Sequence, residues 1–262
     1  ILARLRHPNI ARLIDAGRSP LGQPYIILEH VDGTRIDRYV ESHRLGVPER
    51  IRLFLEVLDA VAHAHAKLIV HRDLKPQNVL VDSEGRVRLL DFGIAKLLDP
   101  DPDGPGAVTR AGESALTPEF AAPEPVTGGD ITTATDIYSL GVLLCALLTG
   151  QHPIGSFPTT PAEWVRAIVD REPRPMSELA AASSPGKLAA ALRGDLDNIV
   201  RRALRKKPEE RYPSVEAFAD DLRRYLHHEP VSARPDTLAY RASKLVRRHP
   251  AAVASVALAV VA

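Results

Sequence analysis

Apolar residues at Ile51, Phe54, Leu55, Leu58, Val61 and Ala62 recur at helical spacing between Pro48 and Ala66, and Pro48 suits a first helical turn. The period then changes. Val79-Leu80-Val81 and Val87-Arg88-Leu89-Leu90 flank Asp82-Ser83-Glu84-Gly85, which predicts a hairpin. Ile10 to Asp15 and Tyr25 to Glu29 are two further strand-like runs, separated by Gly17, Pro20 and Gly22. Asp136 to Leu148 is almost wholly apolar after its first turn, which predicts a central buried helix. It is too short, and too punctuated by Gly141 and Gly150, to span a membrane. Helical patterns also cover Ala162–Asp170, Leu196–Leu204 and Val215–Leu226. A few strands followed by many helices predict an α+β fold that is mainly helical.

Both ends of the pattern look interrupted. Ile1 to Leu5 has helical spacing and His7-Pro8-Asn9 ends it, so the chain is expected to open inside a helix. From Ala251 to Ala262 every residue is apolar or small. These twelve residues would span roughly 18 Å as a helix, against about 30 Å of hydrocarbon. Arg241, Lys244, Arg247, Arg248 and His249 precede them, the kind of basic collar that marks a cytoplasmic flank. The run reads as the start of a transmembrane helix; a buried terminal helix or a tail is the alternative. His227 to Asp236, with two prolines and mixed charges, reads as linker.

Composition narrows the classes. Of 262 residues, 45% are hydrophobic and 26% charged, so collagen and wholesale disorder are excluded. The net charge of +1 gives no bulk attraction for nucleic acid. The lone Cys145 excludes an intrachain disulfide and a multi-cysteine zinc site. Trp164 is expected in the core, and His63 and His65, two apart on a helix, face apart and are expected to be structural. Asp101 and Asp103 read as a solvated acidic loop.

The chemistry concentrates in His71-Arg72-Asp73-Leu74-Lys75-Pro76-Gln77-Asn78 and, after the hairpin, Asp91-Phe92-Gly93. Phosphoryl transfer needs a carboxylate near the attacking hydroxyl, a cation on the moving phosphate and oxygen ligands for Mg²⁺. Asp73 can be the carboxylate and Lys75 the cation, while Asn78 and Asp91 offer hard oxygens. A hairpin between Asn78 and Asp91 would bring the second ligand back beside the first.

This pair of motifs resembles the eukaryotic-type protein kinase family, whose signature is H-R-D-x-x-x-x-N with D-F-G. The resemblance covers most of the chain. Ala122-Pro123-Glu124 is similar to the A-P-E that closes the family's activation segment, and Leu116 to Phe120, with Thr117, to the substrate-facing loop before it. Asp136-Ile137-Tyr138-Ser139-Leu140-Gly141 resembles the buried helix whose aspartate holds the catalytic-loop backbone. Arg211 resembles the arginine that pairs with the A-P-E glutamate, here Glu124. Tyr25 to Val31 resembles the fifth strand and hinge, with Leu28 as gatekeeper and the backbones of Glu29 and Val31 facing adenine. His71 and Phe92 would join Leu2 and Leu13 in a hydrophobic stack, expected to be partly exposed here.

The lysine of Asp73 to Asn78 and the position of Thr117 favour the serine/threonine branch, and the wording is similar to that of bacterial, membrane-anchored members. The resemblance therefore implies ATP and Mg²⁺ as cofactors and protein Ser/Thr hydroxyls as substrates. It implies a cytoplasmic kinase domain anchored in the inner (plasma) membrane by a C-terminal helix, and leaves dimerisation open. Thr109 and Ser114 are placed as regulatory phosphosites opposite Arg72. No G-x-G-x-x-G and no V-A-I-K lysine occur in the sequence. The family carries both upstream of the helix that opens this chain. The expected organisation is thus residues 1–30 as remnant of the small β-rich lobe and hinge start, and 31–226 as the large lobe. Residues 227–250 would be a basic juxtamembrane linker and 251–262 the start of a transmembrane helix. Such a fragment would bind ATP poorly and transfer phosphate slowly or not at all. The alternative from another class is a non-catalytic kinase-like binding module; a small-molecule kinase of related fold would normally lack the Leu116–Glu124 segment.

Overall fold

In the computed structural model, the described residues are 5–20, 24–91, 118–155, 160–183, 186–235 and 237–248. Leu2, Phe92, Thr109, Ser114, Thr117 and the apolar run 251–262 lie outside them, as do Asp101 and Asp103.

The hydrophobic pattern yields two small sheets and a helical body. Strands β1 (Leu13–Arg18) and β2 (Pro24–Leu28) form an antiparallel pair, with a register shift between Leu13 and Asp15. Strands β3 (Gly33–Arg35), β4 (Val79–Asp82) and β5 (Val87–Leu89) form an antiparallel sheet in that order. Alternation puts Val79, Val81, Val87 and Leu89 on the inner face, all essentially buried. Helix α1 (Ile36–Ser42) follows β3 directly, and α2 (Val47–His65) carries Pro48 in its first turn. Of the predicted face of α2, Ile51, Phe54, Leu58 and Val61 are wholly buried, while Leu55 and Ala62 are half-buried.

The centre of the body is the helix after the short α3 (Pro123–Thr127), namely α4 (Thr133–Thr149). Thr132 caps its N-terminus in a capping box with Thr135, and Gly150, at φ 70°, ends it in the left-handed region that favours glycine. Gly141 lies where α4 crosses α8 (Asp195–Ala203); a Cβ there would stand 2.9 Å from Ala203 Cβ. The crossing therefore tolerates only glycine, which offsets the roughly 1 kcal/mol that a mid-helix glycine costs. Helices α5 (Pro161–Asp170), α6 (Met176–Ser183), α7 (Lys187–Leu192) and α9 (Val215–Leu226) complete the body. Trp164 is buried as expected, in a satellite core with Ile154, Ala167 and Ile168.

Three findings refine the expectations. Of the hydrophobic stack, His71 is fully buried and Leu13 half-buried, while Leu2 and Phe92 lie outside the described residues. Exposed apolar side chains lie on the β1–β2 pair: Ile14 at 56%, Tyr25 at 41% and Ile27 at 45%. Secondly, residues 7–11 are joined to the large body rather than to β1–β2. Ile10 bridges to Leu89, Leu89 N donates to the Asn9 carbonyl at 2.8 Å, and Asn9 Nδ2 donates to the Val87 carbonyl at 2.9 Å.

Thirdly, the stretch read as linker is anchored. Val231 is buried, and a helix, α10 (Leu238–Arg248), packs back with Tyr240 and Lys244 buried. Asp195 is the reason: its Oδ1 accepts from the Tyr240 hydroxyl at 3.0 Å, and its Oδ2 pairs with Lys244. Lys244 is therefore neutralised inside the fold instead of joining an exposed basic collar. Among the described residues, no helix is long and apolar enough to cross a membrane.

Candidate active site

A single buried carboxylate organises the loop between α2 and β4. Asp136, in the first turn of α4, is 1% exposed. Its Oδ2 accepts from His71 N at 2.7 Å and its Oδ1 from Arg72 N at 2.9 Å. His65 Nε2 reaches the same Oδ2 at 2.7 Å. Arg72 needs this hold, because it sits at φ 69°, a region costly for a side-chain-bearing residue.

His71 continues the scaffold. Its Nε2 donates to the Leu90 carbonyl at 2.9 Å, and its Nδ1 accepts from Asp73 N at 3.3 Å. Burial pushes its pKa down, against the opposing pull of Asp136, so the ring stays neutral and both nitrogens serve as struts.

The loop then presents its polar side chains. The Asp73 carboxylate receives Lys75 Nζ at 2.9 Å and Asn78 Nδ2 at 2.9 Å on the same oxygen, Oδ2. Asn78 Nδ2 also donates to the Asp73 carbonyl at 2.8 Å, which turns the amide oxygen away from Asp73. The short 3₁₀ turn Pro76–Asn78 begins with proline and feeds straight into β4. Val79 is in register with Leu89, and Leu90 N donates to the Asn78 carbonyl at 2.8 Å. The hairpin thus returns Asp91 next to Asn78, as the spacing predicts. Asp91 is exposed and also has positive φ, 42°. Two strained residues flanking one loop are a common mark of functional backbone.

Glu29 follows β2; its carboxylate pairs with Arg88 of β5 and its N–H donates to the Arg12 carbonyl at 2.9 Å. Val31 is half-buried beyond it. These residues join the β1–β2 pair to the three-stranded sheet.

On the far side, Glu124 and Arg211 meet in two parallel bonds of 2.8 Å each, both residues buried. Thr135 Oγ1 adds a third donor to Glu124 at 2.9 Å. Burial alone would raise the Glu124 pKa, but the hydrogen bonds and charge of Arg211 more than offset it, and the pKa is lowered. Arg211 also donates to the carbonyls of Arg205, Lys206 and Ala134, so its remaining donors are used.

Several residues that hold the site carry no signal that sequence reasoning caught. His65 was expected only to be structural; its contact with Asp136 is specific. Ser139 Oγ donates to the Phe120 carbonyl at 2.8 Å, and His152 Nε2 to the Glu119 carbonyl at 2.6 Å. Their partners are backbone atoms remote in sequence, which no motif records. His63 and His65 share no metal-like cluster, and no group of three or more ligating side chains occurs among the described residues.

Residues 1–222 match the protein kinase domain family. The chain belongs to that family. It is similar to serine/threonine-protein kinase Pkn1 of Myxococcus xanthus, 38% identical over 87% of this chain and 31% of the relative. It is likewise similar to serine/threonine-protein kinase pkn3 of the same organism, 33% identical over 84% of this chain and 39% of the relative. Serine/threonine-protein kinase PknB of Mycobacterium tuberculosis is 32% identical over 88% of this chain and 35% of its own length. The chain thus spans about a third of the length of these curated relatives. As a protein kinase domain, it is mainly helical with few strands, and these relatives are bacterial serine/threonine-protein kinases.

Proposed function

We propose that this chain is the large-lobe part of a membrane-anchored serine/threonine protein kinase, which transfers the γ-phosphoryl group of ATP to protein Ser/Thr hydroxyls. The observation that carries the reading is the Asp73–Lys75–Asn78 cluster, hung from the buried Asp136 carboxylate.

In this reading Asp73 accepts the proton of the attacking hydroxyl and aims its oxygen. The Oδ2 atom is occupied by Lys75 and Asn78, so Oδ1 is the oxygen for the substrate. Lys75, already at the carboxylate, neutralises charge on the phosphoryl group as it moves between oxygens. The amide oxygen of Asn78 and the carboxylate of Asp91 are hard donors of the kind Mg²⁺ takes, and the hairpin pairs the Asn78 backbone with Leu90, one residue before Asp91. Held by Asn78 and Asp91, Mg²⁺ would offset the negative charge of the phosphate groups. The backbones of Glu29 and Val31 would receive adenine.

No Gly-rich loop or V-A-I-K lysine occurs in these 262 residues, so activity is assigned to the full-length protein. Two further parts of the reading rest on residues outside the described ones. Phosphate on Thr109 or Ser114 would order the preceding loop by pairing with Arg72. The run Ala251–Ala262 would continue into a membrane helix, with the domain on the cytoplasmic side. Recovery of the full-length protein in the soluble fraction without detergent would sink the membrane reading alone.

The kinase reading is tested in the full-length protein. Asp73→Asn should cut phosphotransfer to a protein substrate by orders of magnitude with nucleotide binding retained. Asp91→Asn should weaken Mg²⁺-dependent nucleotide binding. Wild-type rates in both variants, or a wild-type protein that binds partners and transfers no phosphate, would overturn it.

A further inference from the structure

The 3₁₀ turn Pro118–Phe120 is fixed through its carbonyls by side chains from elsewhere in the fold. Ser139, on α4, takes the Phe120 carbonyl. His152, just beyond the end of α4, takes the Glu119 carbonyl through Nε2 at 2.6 Å, while its Nδ1 accepts from Ile154 N at 3.2 Å. An acceptor at Nδ1 leaves the ring proton on Nε2, so both nitrogens of a neutral ring are used. His152 is 5% exposed, with its ring edge-on to Trp164, centroids 4.8 Å apart, and to Phe120 at 6.3 Å. The ring cannot turn away without opening the satellite core around Trp164. Four residues past the turn, Glu124 is pinned by Arg211. The segment is thus held at three points, by Ser139, His152 and Arg211, and a hydrocarbon side chain could not supply the hydrogen bonds of the histidine.

We propose that His152 is a positioning residue for the protein substrate: through the Glu119 carbonyl it sets the path of Pro118–Phe120, the stretch beside which the substrate backbone would run. The inference rests on the kinase reading above. It predicts a split in kinetics, because the groups His152 holds, the Glu119 carbonyl and the Ile154 N–H, belong neither to Asn78 and Asp91 nor to the Glu29–Val31 backbone. In the full-length protein, His152→Phe keeps the ring packing and loses both ring hydrogen bonds. It should raise KM for a Ser/Thr peptide roughly tenfold, with KM for ATP and kcat little changed. His152→Gln, whose amide nitrogen extends about as far as Nε2, should recover most of the loss. His152→Asn, which is too short to reach Glu119, should not. Equal peptide KM in the Gln and Asn variants, or losses shared equally by ATP and peptide, would overturn the inference and leave the kinase reading intact. A wild-type protein inactive on every Ser/Thr peptide would count against the kinase reading instead. A second readout does not need turnover: amide hydrogen exchange from Glu119 to Ala122 should speed up in His152→Phe and not in His152→Gln. Unchanged exchange in His152→Phe would defeat the positioning role whatever the activity.

Discussion

Asp136 and Asp221 solve the same physical problem in two parts of the molecule. Each is 1% exposed, and each spends its two oxygens on backbone N–H groups of a segment that has no regular structure of its own. Asp136 takes His71 N and Arg72 N, plus His65. Asp221, on α9, takes Ser232 N at 2.6 Å and Ala233 N at 2.9 Å, plus the hydroxyls of Tyr212 and Ser232. A buried carboxylate would be costly alone; three or four donors replace its water. The difference lies in what is held. Asp136 fixes the loop that carries Asp73, Lys75 and Asn78, whereas Asp221 fixes the lead-in to α10. A buried carboxylate hub is therefore a fastening device, and what it contributes is decided by the segment it fastens.

The sharpest way to break this parallel is to remove each hub. Asp136→Ala in the full-length protein should lower phosphotransfer by at least 10²-fold and stability by about 3 kcal/mol, since buried donors lose their acceptor. Denaturant unfolding together with a phosphotransfer assay reads both. The ion pair Glu124–Arg211 sharpens the comparison, because there the carboxylate meets a charge. Loss of either partner should cost roughly 3–5 kcal/mol, and the double variant should lose clearly less than the sum. Strict additivity in a denaturation cycle would mean the pair is not coupled.

Asp221→Ala should cost about 2–3 kcal/mol and leave phosphotransfer by the folded fraction near wild type. Equal loss of activity in Asp221→Ala and Asp136→Ala would erase the distinction drawn above. A somewhat smaller effect is expected at Asp195, which faces the buried Lys244 and the exposed Arg234. Asp195→Asn strands the Lys244 charge, should cost about 2 kcal/mol and should quicken tryptic cleavage after Arg241 and Lys244.

The smallest effect is a slope against pH. Burial pushes His152 down to about 4, opposed only by its bond to Glu119. Between that value and the ordinary 6.5 the unfolded chain binds more protons than the native one, so stability falls as pH drops through this window. Glu124 acts in the same direction: its contribution is present above the ordinary carboxylate range and is lost as pH falls through its lowered value. The melting temperature of His152→Phe should fall less steeply than wild type from pH 6.5 towards 4. An unchanged slope would show that the ring is not held neutral.

The same comparison explains what could be read in advance. Asp73, Asn78, Asp136, Glu124 and Arg211 were legible because each belongs to a local string whose chemistry has few other uses. Helices α2 and α4 were legible because their apolar period is unbroken. Asp221 and Ser232 were not, because Ser232 to Asp236 shows only turn residues and charges, and the hydrogen bonds that anchor it come from α9. Lys244 reads as a surface charge until Asp195 is found beneath it. Helix α1 was missed because its apolar positions, Ile36 and Val40, are too few to define a period. The β1–β2 hairpin was legible as strands, while the outward turn of Ile14 and Ile27 was not. Side chains alternate by rule, but which face is covered depends on neighbours.

The parallel bridge of Ile10 to Leu89 has a consequence for anyone cutting or grafting this molecule. Asn9 interlocks with both Val87 and Glu56, and Ala11 N closes on the Leu89 carbonyl at 2.9 Å. The mechanical seam therefore runs at Arg12, inside what reads on paper as one continuous strand run. A cut near residue 30 would therefore carry Asn9, Ile10 and Ala11 away with the hairpin and strip Glu56, Val87 and Leu89 of the partners they have in the intact body.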